Sequence, residues 1–170
     1  MGQYWKDLTS FDGKICGWNL LPRKLMEHSW LHNEMTDFFS TLIFNTPHKI
    51  AWVGDYAEEK EIPPEWAEHL NEQIDFDPVE TFNYNGKVLI NHDKNQFVRF
   101  DSLPFSSEGE GEWIIYPLPL LTAVSNGRGG GDYYDTDNPY VGTWAFDLIE
   151  IRSIENIPDE YEEIYPDFKE

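Results

Sequence analysis

Apolar residues recur at spacings of three and four between residues 23 and 45, which is the pattern of an amphipathic helix with one buried face. The apolar stripe consists of Leu31, Met35, Phe38 and Leu42, widened by Leu25 and Phe39. Pro47 suits the end of the helix, because proline cannot continue it. We therefore predict one long helix over residues 23–45 that packs by this stripe against a sheet.

A second, short helix is predicted from Pro63 and Pro64 through Ile74, because proline is favoured in the first turn of a helix. The predicted outer face of this helix carries Glu65, Glu68 and Glu72, at i, i+3 and i+7. A face made of carboxylates is expected to point to solvent.

Apolar runs and turn residues predict the strands of the sheet. Asn85 and Gly86 form a strong hairpin signal, because both tolerate the positive φ of a type I′ turn. A second turn at residues 92–95 completes a predicted three-strand meander over residues 80–100. Further strands are predicted at residues 49–54, 113–116 and 142–151. Since the meander and the later strands have no helices between them, we predict an α+β fold with an antiparallel sheet packed by the two helices.

Composition predicts a single folded domain. The 170 residues are 40% hydrophobic and 16% aromatic, which is too apolar for a disordered acidic chain. We assign residues 1–157 to one α+β domain. Residues 158–170 are acidic and aromatic, and form either an ordered arm or a tail that binds a partner.

The net charge of −20 is concentrated in two segments. Residues 51–85 hold ten acids and one base, and residues 129–170 hold twelve acids and two bases. Such segments attract basic partners and repel nucleic acids and anionic membranes. We expect a basic protein partner, with no direct binding to nucleic acid or membrane. The predicted partner contacts are Glu65, Glu68, Glu72, Asp159, Glu160, Glu162 and Glu163.

The sequence SNGRGGGDYYDTDNPY, at residues 125–140, is the most unusual local feature. Consecutive glycines let backbone N–H groups turn toward one point, and such a nest can hold a phosphate or carboxylate. The alternative is a long loop that only connects two strands. The candidate ligand contacts are Asn126, Arg128, Gly129, Gly130, Gly131 and Asp132.

Two groups of residues have metal-ligating side chains, but neither has the spacing of a known site. Asp132, Asp135 and Asp137 offer oxygen ligands, although their spacing does not match an EF-hand loop. His28 and His32 lie one turn apart on the predicted helix, with no assured third ligand. We predict no resident metal ion and no cofactor.

Catalytic chemistry has little support in the sequence. His92 and Asp93 form either an acid–base pair or an ordinary polar turn. No nucleophile motif surrounds Cys16 or Ser125. Cys16 is the single cysteine, and the first residues lack the features of a secretory signal, so we expect a cytoplasmic protein. The sequence favours a binding protein over an enzyme.

Three segments, LMEHSW (25–30), AWVGDYA (51–57) and GGGDYY (129–134), resemble parts of a family of uncharacterised small proteins from bacteria and their phages. The resemblance covers about a tenth of the chain and implies no known activity. It argues against charge mimicry alone, because a mimic does not need such particular sequences.

Two functions from different classes agree with these features. The first is a phage or mobile-element inhibitor, in the host cytoplasm, that occupies the nucleic-acid site of a basic host enzyme such as a restriction or CRISPR nuclease. The second is a protein that binds a nucleotide-like small ligand, as a binder or an enzyme, through the glycine-rich loop at residues 125–138. An acidic surface aligned on one side of the fold favours the first, and a closed pocket under the loop favours the second.

Overall fold

The computed structural model describes residues 2–11, 13–18, 23–31, 33–71, 73–75, 77, 79–103, 105–106 and 113–168. The strands are β1 (Trp5–Phe11), β2 (Lys14–Trp18), β3 (His48–Gly54), β4 (Gln73–Ile74), β5 (Lys87–Asn91), β6 (Gln96–Arg99), β7 (Phe105–Ser106), β8 (Trp113–Ile114), β9 (Ala123–Val124), β10 (Leu148–Ser153) and β11 (Glu162–Glu163). The α-helices are α1 (Leu25–His28), α2 (Glu34–Ile43), α3 (Pro64–Ala67) and α4 (Pro117–Leu121). Short 3-10 turns lie at Glu59–Glu61, Phe100–Ser102 and Ile154–Asn156.

The main sheet has the order β11-β6-β5-β10-β3-β1-β2-β4, with β9 paired to β3, while β7 and β8 form a separate pair. The α+β class is confirmed, but the sheet is mixed and not antiparallel as predicted. Three pairs, β6–β11, β2–β4 and β3–β9, are parallel. Parallel strands need long crossover connections, and each of these two-residue strands returns to the sheet after the chain has crossed other elements.

The predicted long helix over residues 23–45 is two helices, α1 and α2. At the end of α1, Ser29 donates from Oγ to the carbonyl of Leu25 at 2.8 Å. Asn33 starts α2 as its N-cap, because its side chain accepts from the backbone N–H of Thr36 at 2.8 Å. Both helices bury side chains in the same core, so the apolar spacing continues across the break.

The second helix, predicted to run through Ile74, ends at Ala67. One turn is enough to bury Trp66, which is 4% exposed, against the sheet. The chain beyond this turn joins β2 in parallel as β4. The second helix therefore ends at Ala67 and does not reach Ile74 as the spacing of its acidic residues predicted.

The predicted three-strand meander is a two-strand hairpin of β5 and β6. Gly86 has the expected positive φ of +67° before β5, but Asn85 does not have one, so the turn is not the predicted type I′. However, residues 81–84 form no strand, although Phe82 and Tyr84 pack in the main core. β10 pairs with β5 in their place, and it begins at Leu148, later than predicted.

The first face of the sheet packs against α1, α2 and α4 and forms the main core. Ile50 and Trp52 of β3, Leu89 of β5 and Ile149 of β10 belong to this core and are at most 1% exposed. Phe39 of α2 packs on Trp52 with 4.8 Å between ring centroids. The predicted helix stripe packs against the sheet on this face.

The second face is apolar as well, because the alternate residues of the same strands are also buried. One patch consists of Leu8, Ala51, Val53 and Val124, covered by Ile62 and Trp66. The other patch consists of Val88, Ile90 and Phe97, covered by Ile154, Ile157 and Tyr161. We call the two covering segments, residues 57–71 and 154–163, the acidic cover.

Asp7 is a buried carboxyl group on the first face of the sheet. It lies opposite Trp52 in the strand pairing, and it accepts from the backbone N–H of Trp18 at 3.1 Å. Burial raises the pKa of Asp7 to about 7, because a dry environment disfavours the charged form. The indole N–H groups of both tryptophans have no hydrogen-bond partner in the described part of the chain.

Phe38→Ala should lower the free energy of unfolding by about 3–5 kcal/mol, because Phe38 is buried against Trp18 and Phe39. Thr41→Ala, on the exposed side of the same helix, is the matched control and should change it by less than about 0.5 kcal/mol. Urea unfolding followed by tryptophan fluorescence measures both. Equal losses in the two variants would contradict the position of Phe38 in the core.

Asp7→Asn should remove a pH dependence of stability between about pH 4 and pH 7. The ordinary pKa of 3.8 applies to Asp7 in the unfolded chain, whereas its pKa in the folded protein is about 7. Between these values the folded state holds a proton that the unfolded state has released, so the free energy of unfolding falls as pH rises. The wild type should therefore lose up to about 4 kcal/mol relative to the variant. Urea unfolding at both ends of this range tests it, and a pH-independent difference would contradict it.

Candidate functional site: the acidic cover and the glycine-rich loop

The two predicted acidic segments are far apart in the chain but cover neighbouring areas of one sheet face. The exposed carboxylates of the acidic cover belong to Glu58, Glu59, Glu65, Glu68, Glu155, Asp159, Glu160 and Glu162. Of the remaining predicted partner contacts, Glu163 is half-buried and Glu72 lies outside the described residues. The structure thus places five of the seven predicted contacts in exposed positions. One of them, Glu162, lies opposite Gln96 in the strand pairing and so belongs to the first-face side of β11.

A hydrogen-bonded chain of polar side chains fastens the second half of the cover. The hydroxyl of Tyr161 lies 2.7 Å from Nδ1 of His92, and Nε2 of His92 lies 2.5 Å from Oε1 of the buried Glu150. Nε of Arg152 is 2.7 Å from the same oxygen. Asp93 takes no part, since it accepts from a backbone N–H of β10 at 2.9 Å. His92 therefore pairs with Glu150, and Asp93 has the turn role that was its alternative.

One arginine holds each half of the cover to the rest of the fold. Arg99 donates from Nε to Glu163 at 2.9 Å. Arg128 of the glycine-rich loop donates to both carboxylate oxygens of Glu61, at 2.5 and 2.8 Å, and to the carbonyl of Tyr56 at 3.1 Å. Hydrogen bonding to Arg128 holds the pKa of Glu61 below its ordinary value. Arg128, predicted to contact a ligand, thus binds a carboxylate of the protein.

The glycine-rich loop forms the predicted nest of backbone N–H groups, and a side chain of the same loop fills it. Oδ2 of Asp132 accepts from the backbone N–H groups of Gly127, Arg128 and Gly129 at 2.9, 3.0 and 3.2 Å. Convergent N–H groups of this kind bind an anion. Here the anion is the carboxylate of Asp132.

Gln3 and Trp5 complete the surroundings of this carboxylate. Gln3 donates from Nε2 to Asp132 at 2.7 Å and to the carbonyl of Ser125 at 2.9 Å, and it accepts from Ser125 Oγ at 2.6 Å. Trp5 donates from its indole N–H to Asp132 at 2.9 Å. Neither Gln3 nor Trp5 was predicted to belong to the site, because nothing in the local sequence marks a partner more than a hundred residues away.

The other predicted loop residues also bond within the protein. Asn126 accepts from the backbone N–H of Tyr133 at 2.8 Å and donates to its carbonyl at 3.2 Å. The carbonyl of Gly130 accepts from the backbone N–H of Gln3 at 3.2 Å, and the carbonyl of Gly131 accepts from the backbone N–H of Met26 at 3.3 Å. Gly131 has a φ of +83°, and a side chain there would collide with Lys24. The loop is held as part of the domain.

The candidate metal ligands do not come together. Asp135 and Asp137 follow the nest, in which Asp132 is already engaged. His28 is buried at 1% exposure, and burial lowers its pKa to about 4. His32 lies outside the described residues. In the ranges that the structure describes, no group of three or more His, Cys, Asp or Glu side chains has the geometry for a metal ion.

A cleft of 470 Å³ lies between β1, β3 and the first half of the acidic cover. Its apolar lining includes Val53, Ile62 and Leu70, and its polar lining includes Lys6 and Asp55. The residues that line it come from the sheet and the cover, and none from the glycine-rich loop. The cleft is therefore separate from the predicted nest.

Asp132→Ala should lower the free energy of unfolding by about 1–3 kcal/mol, because the nest, Gln3 and Trp5 lose their shared acceptor. Formate should then bind in the vacated nest, and so raise the melting temperature of this variant more than that of the wild type. Sodium chloride at the same concentration controls for ionic strength.

Asp137→Ala removes an exposed carboxylate from the same loop and serves as the matched variant. This variant should keep wild-type stability, and formate should raise its melting temperature no more than it raises that of the wild type. Equal stabilisation of all three proteins by formate would contradict the role given to Asp132.

In the part of the chain that the structure describes, no helix has the length and apolar character needed to cross a membrane. Comparison with protein-family models, with curated proteins and with solved structures finds no match to this chain.

Proposed function

We propose that the protein binds a basic partner protein through the acidic cover, and that it occupies the surface at which this partner binds nucleic acid. One observation carries the proposal: two segments from the charge-rich parts of the chain cover neighbouring areas of a single sheet face. An acidic surface aligned in this way is what the first of the two functions requires.

The carboxylates of the acidic cover point outward, and few basic side chains lie close enough to balance their charge. Lys60 is the one Lys or Arg within residues 57–71 and 154–163, and it lies 3.0 Å from Glu58. Glu65, Asp159, Glu160 and Glu162 form no ion pair with the described residues. DNA presents one charge per roughly 1.7 Å of helix axis, so a competitor needs many carboxylates at once.

The cover is also held in place before a partner arrives. Trp66 is buried and packs edge to face on Phe146, with 5.0 Å between ring centroids. The chain from Tyr161 through His92 to Glu150 holds the other half. A pre-organised surface loses less conformational entropy on binding, which supports a binding role for these segments.

The partner that we propose is a nuclease of a bacterial defence system, of the restriction or CRISPR type. Such enzymes hold nucleic acid in positively charged channels, and the resemblance to phage proteins suggests the biological setting. The alternative, a nucleotide-like ligand in the glycine-rich loop, has less support, because Asp132 fills the nest and Arg128 is bound to Glu61.

The experiment uses the immobilised protein to capture partners from a bacterial lysate, with duplex DNA as the competitor. Mass spectrometry should identify a nucleic-acid-binding protein that DNA displaces. A variant with Glu65→Gln, Glu68→Gln, Asp159→Asn and Glu160→Gln should bind that purified partner about tenfold more weakly, since each exposed charge contributes a few tenths of a kcal/mol. Added salt should weaken wild-type binding in the same direction.

The matched control removes four exposed charges from segments that pack on the first face. It carries Glu27→Gln, Glu34→Gln, Glu80→Gln and Asp101→Asn. This control should keep wild-type affinity. Equal weakening in both variants would mean that net charge alone drives the binding, and would exclude the acidic cover as a specific site.

A further inference from the structure

A groove of 440 Å³ lies where the second half of the glycine-rich loop meets the C-terminal segment. One wall is formed by residues 133–140 and the other by residues 165–167. It is distinct from the acidic cover, whose residues do not line it.

Four tyrosine rings line this groove, and two of them are unusually exposed. Tyr134 is 68% exposed and Tyr165 is 64% exposed, whereas the next most exposed large apolar side chain described, Tyr4, is 47% exposed. Tyr133 and Tyr140 complete the aromatic lining. Single exposed apolar side chains are common on protein surfaces, whereas exposed rings that cluster in one groove indicate a binding surface.

The polar lining is negatively charged. It includes the side chains of Asp135, Asp137 and Asp167, and none of the lining residues within the described ranges is basic. Where a carboxylate lies beside an exposed aromatic ring, the carboxylate attracts a cation through its charge and the ring attracts it through its quadrupole. The groove is therefore complementary to a cationic group with a flat or apolar surface.

The two walls are fixed to each other. Asn138 donates from Nδ2 to the carbonyl of Pro166 at 2.9 Å, and its Oδ1 accepts from the backbone N–H of Tyr140 at 2.9 Å. Beneath them, Tyr133 packs edge to face on the buried Phe168, with 5.4 Å between ring centroids. The groove thus exists before a ligand enters it.

We propose that this groove binds the arginine side chain of a basic peptide segment. Guanidinium is planar, stacks on aromatic faces and pairs with carboxylates through two parallel N–H groups, whereas the compact lysine ammonium is more strongly hydrated. The site goes beyond the acidic cover, and it depends on the proposed function only in that a basic partner would supply the arginine.

The test is a titration of the full ¹⁵N-labelled chain with a capped Gly-Arg-Gly peptide, followed by NMR at physiological salt. Shifts should concentrate in the amides of residues 133–140 and 165–167. The Gly-Lys-Gly peptide should bind more weakly, and the neutral citrulline peptide should produce no saturable shift.

Single variants locate the site. Tyr134→Ala and Tyr165→Ala should each weaken binding of the arginine peptide by about threefold. Asp137→Asn should also weaken this binding, and its effect should be larger at low salt than at physiological salt. These side chains are exposed or lie at the loop surface, so their replacement leaves the core intact. Tyr4→Ala, an exposed tyrosine outside the groove, should leave binding unchanged.

Three outcomes would overturn the proposal: no saturable shift with arginine, equal affinity for lysine, or shifts spread over the acidic cover. The variant with Glu65→Gln and Glu68→Gln should bind the arginine peptide as the wild type does. Undiminished binding of a captured partner by this variant would count against the acidic cover alone, so the two proposals can fail separately.

Discussion

The central strands bury side chains on both faces, and the rest of the structure depends on this. Along β3, Ile50 and Trp52 enter the main core while Ala51 and Val53 enter the second patch. A sheet of this kind needs a layer on each side. Helices supply the first layer, but the second is supplied by two loop-rich segments that are among the most acidic in the chain. The apolar residues of those segments face the sheet, so their carboxylates face outward.

A chain with a net charge of −20 must also prevent its acids from repelling one another. Several of them are hydrogen-bonded within the fold: Glu150 to His92 and Arg152, and Asp132 to backbone N–H groups. Lys94 pairs with Asp147 in the same way. Among the described residues, ion pairs with carboxylates occupy Lys60, Lys94, Arg99, Arg128 and Arg152. The acidic cover carries eight exposed carboxylates, and other exposed acids, such as Glu34, Glu80 and Asp101, lie on segments that pack on the first face.

The sequence allowed the core to be predicted better than its connections. The stripe of Met35 and Phe38 is buried, and the apolar run that became β3 forms a strand, because local periodicity reports which side chains leave water. The break in the long helix depended on the cap at Asn33, a signal weaker than the continuing stripe. The parallel strands could not be foreseen, since two residues carry no periodicity.

The candidate site was predictable only in part, for a similar reason. Clustered glycines indicated a nest, but its occupant could be identified only after Gln3, Trp5 and Asp132 were seen together. Charge counts indicated acidic segments, yet they could not separate exposed Glu160 from buried Glu150. That separation follows from strand register, which places Glu150 opposite Ile90 on the covered face.

Gln3 has a consequence for how the molecule forms. Its amide closes contacts across 122 and 129 residues of chain, to Ser125 and Asp132. Contacts between residues so distant in sequence form late, because the intervening chain must first lose its freedom. We therefore expect the loop that shapes the tyrosine groove to become ordered only after the N-terminal segment has docked. The amide protons that bond to Asp132 should therefore be protected only in the completely folded chain. An incompletely folded chain should have no groove for a partner.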